Sequence, residues 1–190
     1  MKLSKSFCGS IVDVETTDIL PEHAEMVTFG YLSGNRLGVF QRTGGLSEFE
    51  RSVKDFTKSL DTPLYAFSRG FEESFLDVKV NVDLQNGLES SFAALKTEGL
   101  VSLYNRLNDP LINNEVPSYW EAYKTLRNPV FLSKIVRHNY CCLCKEYYLK
   151  LRRIDGLKVS EIRSFVSSAI FEAKWIKPKL DVVPLEVPYT

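Results

Sequence analysis

The stretch SIVDVETT, residues 10–17, constrains the fold more than any other part of the chain. It begins as an apolar run and then alternates, which is the signature of a central β-strand. In a strand, side chains at i and i+2 share a face. Asp13 and Glu15 therefore point the same way, about 6–7 Å apart by the strand rise, while Val12 and Val14 face the opposite side. Two carboxylates on one face of a buried strand are unfavourable unless a cation lies between them. Mg²⁺ or Mn²⁺ is the natural candidate, because hard divalent ions prefer carboxylate oxygens and keep water in their open positions. The same spacing is met by a strand that ends early and leaves both carboxylates in water.

The segments that follow can be ordered around this strand. VTFGYLSG (27–34) and RLGVFQRT (36–43) are strand-like and flank a Gly34-Asn35 hairpin signal. A helix is expected over about 47–60, with Ser47 as its N-cap and Phe49, Val53, Phe56 and Leu60 on one face. LYAFS (64–68) reads as another strand, FEESFL as a short helix after Gly70, and KVNVDL as an extended segment. Residues 90–108 read as one helix, with Phe92, Leu95, Leu103 and Leu107 on one face and Leu100 and Tyr104 beside it. Pro117 and Pro129 each open a helix; the second is long and ends at Asp155-Gly156. A further helix over about 159–175 precedes a proline-punctuated tail. The pattern predicts an α/β fold, a central mixed β-sheet flanked by helices, with a C-terminal helical extension.

At 190 residues the chain suits one domain: residues 1–155 form its body, and 156–190 a helix and extended tail belonging to it. No apolar run approaches the ~18 residues of a membrane span, and the N-terminus shows no apolar signal core, so a cytoplasmic protein without membrane contact is expected. Net charge is zero but unevenly spread: residues 1–136 carry 14 Lys and Arg against 18 Asp and Glu, and residues 137–179 carry 10 against 4. A basic C-terminal third beside an acidic body suits a polyanionic partner, and equally a solvated helix face. Cys141 and Cys144 form a C-x-x-C whose remaining potential ligands are the distant Cys8 and His23, a poor match to a structural zinc site. Val136, Tyr140, Leu143, Tyr147 and Leu151 make an apolar stripe at helical spacing, so Cys141 and Cys144 read as packing residues. Trp120 and Tyr123 likewise read as helix-packing residues.

VDVETTDIL followed by MVTFGYLSGN resembles the first motif of the DEDD 3′–5′ exonucleases, a branch of the ribonuclease H-like superfamily. LYAFSRGFEESFL is similar to the second motif of a prokaryotic "predicted exonuclease" group, in which a strand leads through Asn-Gly into Phe-Asp-x-x-Phe-Leu. Here Phe71, Phe75 and Leu76 keep the frame, Glu72 stands at the Asp position, and Phe67-Ser68 stand at Asn-Gly. RHNYCCLCKEYYLKL resembles the third motif, a helix with His-Asn-x-x-Asp; His138 and Asn139 match, and the carboxylate position falls on Cys142. The resemblance spans roughly residues 10–151.

The resemblance implies a ribonuclease H-like fold and a metal-dependent 3′–5′ exonuclease that hydrolyses the ends of single-stranded DNA or RNA with two Mg²⁺ or Mn²⁺ ions. By that resemblance the metal ligands are Asp13, Glu15 and Glu72, with Cys142 as an ill-suited fourth, and His138 orients or deprotonates the water. A thiol suits Zn²⁺ better than Mg²⁺. Glu146, one turn further on, replaces Cys142 only if the helix shifts, and Asp83 is another candidate replacement. Arg137, Lys145, Lys150, Arg152 and Arg153 are expected to meet the nucleic-acid backbone. The alternatives are a catalytically inactive relative kept as a nucleic-acid-binding or assembly module, and a zinc-stabilised adaptor. The tail offers a surface for a second copy or another protein.

Overall fold

The computed structural model describes residues 8–34, 36–111 and 115–163. Strand β1 (Ser10–Thr16) runs antiparallel to β2 (Met26–Ser33), which runs antiparallel to β3 (Arg36–Gln41). Gly34 turns the β2–β3 hairpin at φ +59°, the left-handed region that glycine enters without a Cβ penalty. Helix α1 (Leu46–Thr57) crosses to β4 (Leu64–Ala66), which lies parallel to β1 on its other side. Helix α2 (Arg69–Leu76) then leads to the two-residue β5 (Val82–Asp83), parallel to β4. The result is a five-stranded mixed sheet in the order β3-β2-β1-β4-β5, with β1 at its centre.

The chain continues through α3 (Ser91–Thr97), α4 (Val101–Leu107), α5 (Val116–Leu126) and the 25-residue α6 (Pro129–Arg153). Three local expectations are corrected. Helix α1 begins at Leu46 with Gly45 at the cap position and no side-chain cap, so Ser47 lies inside the helix. The segment expected as one helix over 90–108 is two, because Gly99 adopts φ +72° and ends the first. KVNVDL contributes only the short β5. The helix expected over 159–175 is described only for residues 159–163, which are helical; the remainder and the tail lie outside the described residues.

Alternation along β1 sorts the core into two layers. Val12 and Val14 join Phe29, Tyr31 and Phe40 beneath α1 and α2. Ile11 joins Leu32, Leu37 and Val39 beneath α6, whose Val136, Tyr140, Leu143, Tyr147 and Leu151 are all buried there with Cys141 and Cys144. Leu157, Val159 and Ile162 pack on this layer, so the described part of the C-terminal extension shares the same core. A bulge pairs Thr16 with Met26 and leaves Val27 over; Val27 then packs with Trp120 of α5 and with Leu132 and Ile135 of α6.

Two contacts set the position of α6 on the sheet. At its middle, Gly30 lies opposite Asp13, and a Cβ there would collide with the Asn139 side chain and with Leu143. Gly30→Ala is therefore expected to cost about 1–3 kcal/mol, as overpacking does, read as a lower denaturation midpoint; unchanged stability would show that the helix can move away freely. At its C-terminal end, Arg153 donates to Glu89, Glu98 and the Leu84 carbonyl, tying the helix to the segment after β5 and to the end of α3.

Candidate active site

The face of β1 that carries Asp13 and Glu15 is the face covered by α6. That helix lies across β1, β2 and β3 and brings His138, Asn139, Cys142 and Glu146 to the neighbourhood of β1. Asn139 is fully buried and donates through Nδ2 to Asp13 Oδ2 at 2.6 Å. Cys142 and Glu146 follow at i+3 and i+7, the same helix face. With Asp13, Glu72 and Lys145 they line a cleft of about 110 Å³, closed on its apolar side by Phe67 and Leu149. That volume suits ions and a few waters, not a nucleotide.

Glu72 sits in the first turn of α2, buried against this cleft. Glu146 is buried as well and hydrogen-bonds to Asp13 side chain to side chain, so one of the two carries a proton. Burial and the nearby Glu15 push Asp13 up to about 7. Burial and then Asp13 push Glu72 well above the usual carboxylate range, and burial, Asp13 and Glu72 do the same to Glu146. The second carboxylate oxygens of Glu72 and Glu146 are buried without a hydrogen-bond partner. Buried acceptors with no donor are a known strain on a fold, and a hard divalent cation would satisfy both. Three carboxylates line the cleft, from Asp13 of β1, Glu72 of α2 and Glu146 of α6, and such hard oxygen donors suit Mg²⁺ or Mn²⁺.

Beside this cleft runs a second polar chain. Glu15 Oε1 lies 3.4 Å from His138 Nε2. His138 Nδ1–H donates to Asp109 Oδ1 at 2.7 Å, and Lys145 Nζ donates to Asp109 Oδ2 at 3.2 Å. Burial opposes the imidazolium, but Glu15 and Asp109 outweigh it and raise the His138 pKa. Burial also opposes ionised Asp109, yet the His138 hydrogen bond and the charges of His138 and Lys145 hold its pKa below the usual value. Lys145 keeps its charge because Cys142 and Asp109 offset its burial; Cys142 is a neutral thiol, pushed up by burial, so Asp109 is the effective anion.

The structure thus brings together Asp13 and Glu15, paired by strand spacing, and Glu72, His138 and Cys142, named through the resemblance. It corrects the requirement for a helix shift: Glu146 reaches the cleft with α6 unbroken, because Asn139 and not His138 faces Asp13. Asp83 is exposed and accepts from the Gln85 backbone N–H, outside the cleft lining. The five basic residues expected at a nucleic-acid backbone all have internal partners. Lys145 and Lys150 are 6 % and 5 % exposed and pair with Asp109 and Asp155. Arg137 donates to the Leu107 carbonyl, Arg152 to that of Leu157, and Arg153 to Glu89 and Glu98. A phosphate contact by the two lysines would require breaking an internal ion pair. Asp109 has no sequence signal of its own, since it joins His138 across 29 positions from a loop.

An α/β protein with a buried carboxylate cleft at the centre of its mixed sheet is what these elements define. No protein-family model, no curated protein and no solved structure matches the chain. Among the described residues no helix is long and apolar enough to cross a membrane.

Proposed function

We propose that the chain is a metal-dependent 3′–5′ exonuclease of the DEDD type, built on a ribonuclease H-like sheet and acting on single-stranded DNA or RNA ends. The observation that carries the reading is the convergence of Asp13, Glu72 and Glu146 on one cleft, two of them with unpartnered buried oxygens, with Glu15 close to Asp13. The strand order β3-β2-β1-β4-β5, with only β2 antiparallel to β1, is compatible with that superfamily. Mg²⁺ or Mn²⁺ held by these carboxylates would supply Lewis-acid stabilisation of charge on the scissile phosphate. The chain's own residues do the rest. Asp109 fixes the His138 tautomer, leaving Nε2 at the mouth of the cleft as the atom that takes a proton from water. Asn139 holds one Asp13 oxygen and so turns the other toward the cleft. The cleft excludes the nucleotide, so the base and sugar lie outside it.

The inactive-relative reading rests on a missing carboxylate at Cys142, and Glu146 brings a carboxyl group to the cleft seven residues after Asn139. Incubation with labelled single-stranded DNA and RNA, in Mg²⁺ and separately in Mn²⁺, is expected to release mononucleotides from the 3′ end. Asp13→Ala should lower the rate at least 10²-fold, the scale of losing a transition-state electrostatic contact. Release no greater than that of Asp13→Ala would favour the inactive binding module.

A further inference from the structure

We infer that Glu15, His138 and Cys142 form a site for one Zn²⁺ beside the carboxylate cleft, whose lining includes Cys142. One ligand atom from each residue lies within 4.8 Å of the others, and no other such group of three occurs among the described residues. His138 Nε2 is 3.4 Å from Glu15 Oε1 and 3.7 Å from Cys142 Sγ. Tetrahedral zinc with bonds of about 2.0–2.1 Å to N and O and about 2.3 Å to S has N···O edges of about 3.3 Å and N···S edges of about 3.6 Å. Both edges from His138 already stand at nearly those separations, and the Glu15 to Cys142 edge lies within 4.8 Å.

Three further features favour a metal over a chance cluster. Asp109 accepts the Nδ1–H of His138, which fixes the tautomer whose Nε2 lone pair faces Glu15 and Cys142; such a carboxylate behind a ligating imidazole is the usual support of zinc histidines. The donor set of imidazole, thiol and carboxylate suits a borderline ion, and the sulfur disfavours Mg²⁺. Charge also closes. Asp109 and Lys145 cancel one another, and Zn²⁺ cancels ionised Glu15 and Cys142, so a largely enclosed site ends neutral. Binding breaks the S–H bond of Cys142 and forms a Zn–S bond, with the proton released to solvent. All three ligands are half-buried, which leaves a path for the ion and a fourth position for water. Because Cys142 lines the cleft and Glu15 stands near Asp13, zinc here would compete with the hard ions of the cleft. The assignment does not depend on the nuclease reading.

Co²⁺, with no nucleic acid present, is the probe. Titration of the full chain should give a near-ultraviolet thiolate-to-cobalt charge-transfer band and intense visible bands that saturate at one equivalent, and Zn²⁺ should displace them. Cys142→Ser should remove the charge-transfer band, whereas Cys141→Ser and Cys144→Ser keep it. Asp109→Asn should keep the band but weaken binding about 10–100-fold. No band, or a band that survives Cys142→Ser, would overturn the site. If Cys142→Ser does not fold, alkylation of the wild-type chain decides: Cys142 should be protected by saturating Zn²⁺, and modification at the unprotected rate would overturn the site equally.

Discussion

Substituting Glu146 by glutamine is expected to flatten the pH dependence of the metal-free protein's stability and to abolish Mn²⁺ binding in the cleft. Asp13, Glu72 and Glu146 all have folded-state pKa values above their unfolded ones, so the native state holds more protons than the unfolded chain. Stability then falls as pH rises, from the unfolded values near 4 to the folded ones. For Asp13, raised from 3.8 to about 7, the loss approaches about 4 kcal/mol at 1.36 kcal/mol per unit. Thermal melts in EDTA between about pH 4.5 and 8 should show a steady decline, which Mn²⁺ reverses because a cation takes the place of the protons. Glutamine at 146 mimics the protonated acid, leaves Asp13 beside a neutral neighbour, and removes one anionic ligand. Its melts should exceed those of the parent above pH 7 and should no longer respond to Mn²⁺. Parent stability that rises with pH in EDTA would contradict the cleft as described.

Arg153→Ala should be the most destabilising single change outside the apolar core. The guanidinium is 9 % exposed and holds Glu89, Glu98 and the Leu84 carbonyl together. Its removal leaves two carboxylates and a carbonyl without their shared donor. The expected cost is about 2–4 kcal/mol, between that of an exposed pair and that of a fully buried one. For a chain of this size that lowers Tm by roughly 4–16 °C. Adding Glu98→Gln to Arg153→Ala should restore part of the loss, because it relieves the carboxylate repulsion. A change below about 0.5 kcal/mol would show that water replaces the guanidinium without penalty.

The local pattern of the sequence carries the frame of the site and stops short of its detail. Alternation in SIVDVET places Asp13 and Glu15 on one face, and apolar spacing identifies the buried stripe of α6, because both follow from backbone geometry alone. The identity of the α6 carboxylate does not follow from spacing. It depends on how far the helix is rotated on the sheet, which is set by the missing side chain of Gly30 and the fit of Asn139 against Asp13. For the same reason Lys145 and Lys150 read as surface cations from a basic stretch, although the faces that carry them turn inward toward Asp109 and Asp155. The single helix expected over 90–108 fails for a local reason: Gly99 stops α3 at its left-handed turn.

The hydrogen bond between Asp13 and Asn139 joins residues 126 positions apart. During synthesis at about 5–20 residues per second, the second partner is made roughly 6–25 s after the first. Throughout that interval the β1–β3 hairpins can pair, but their α6 face has no cover and their carboxylates have no enclosure. The enclosed carboxylate cleft is therefore among the last features the nascent chain acquires. A polypeptide cut short before α6 would present a bare apolar sheet, recognisable to chaperones and proteases, and would lack Asn139 and Glu146 beside Asp13.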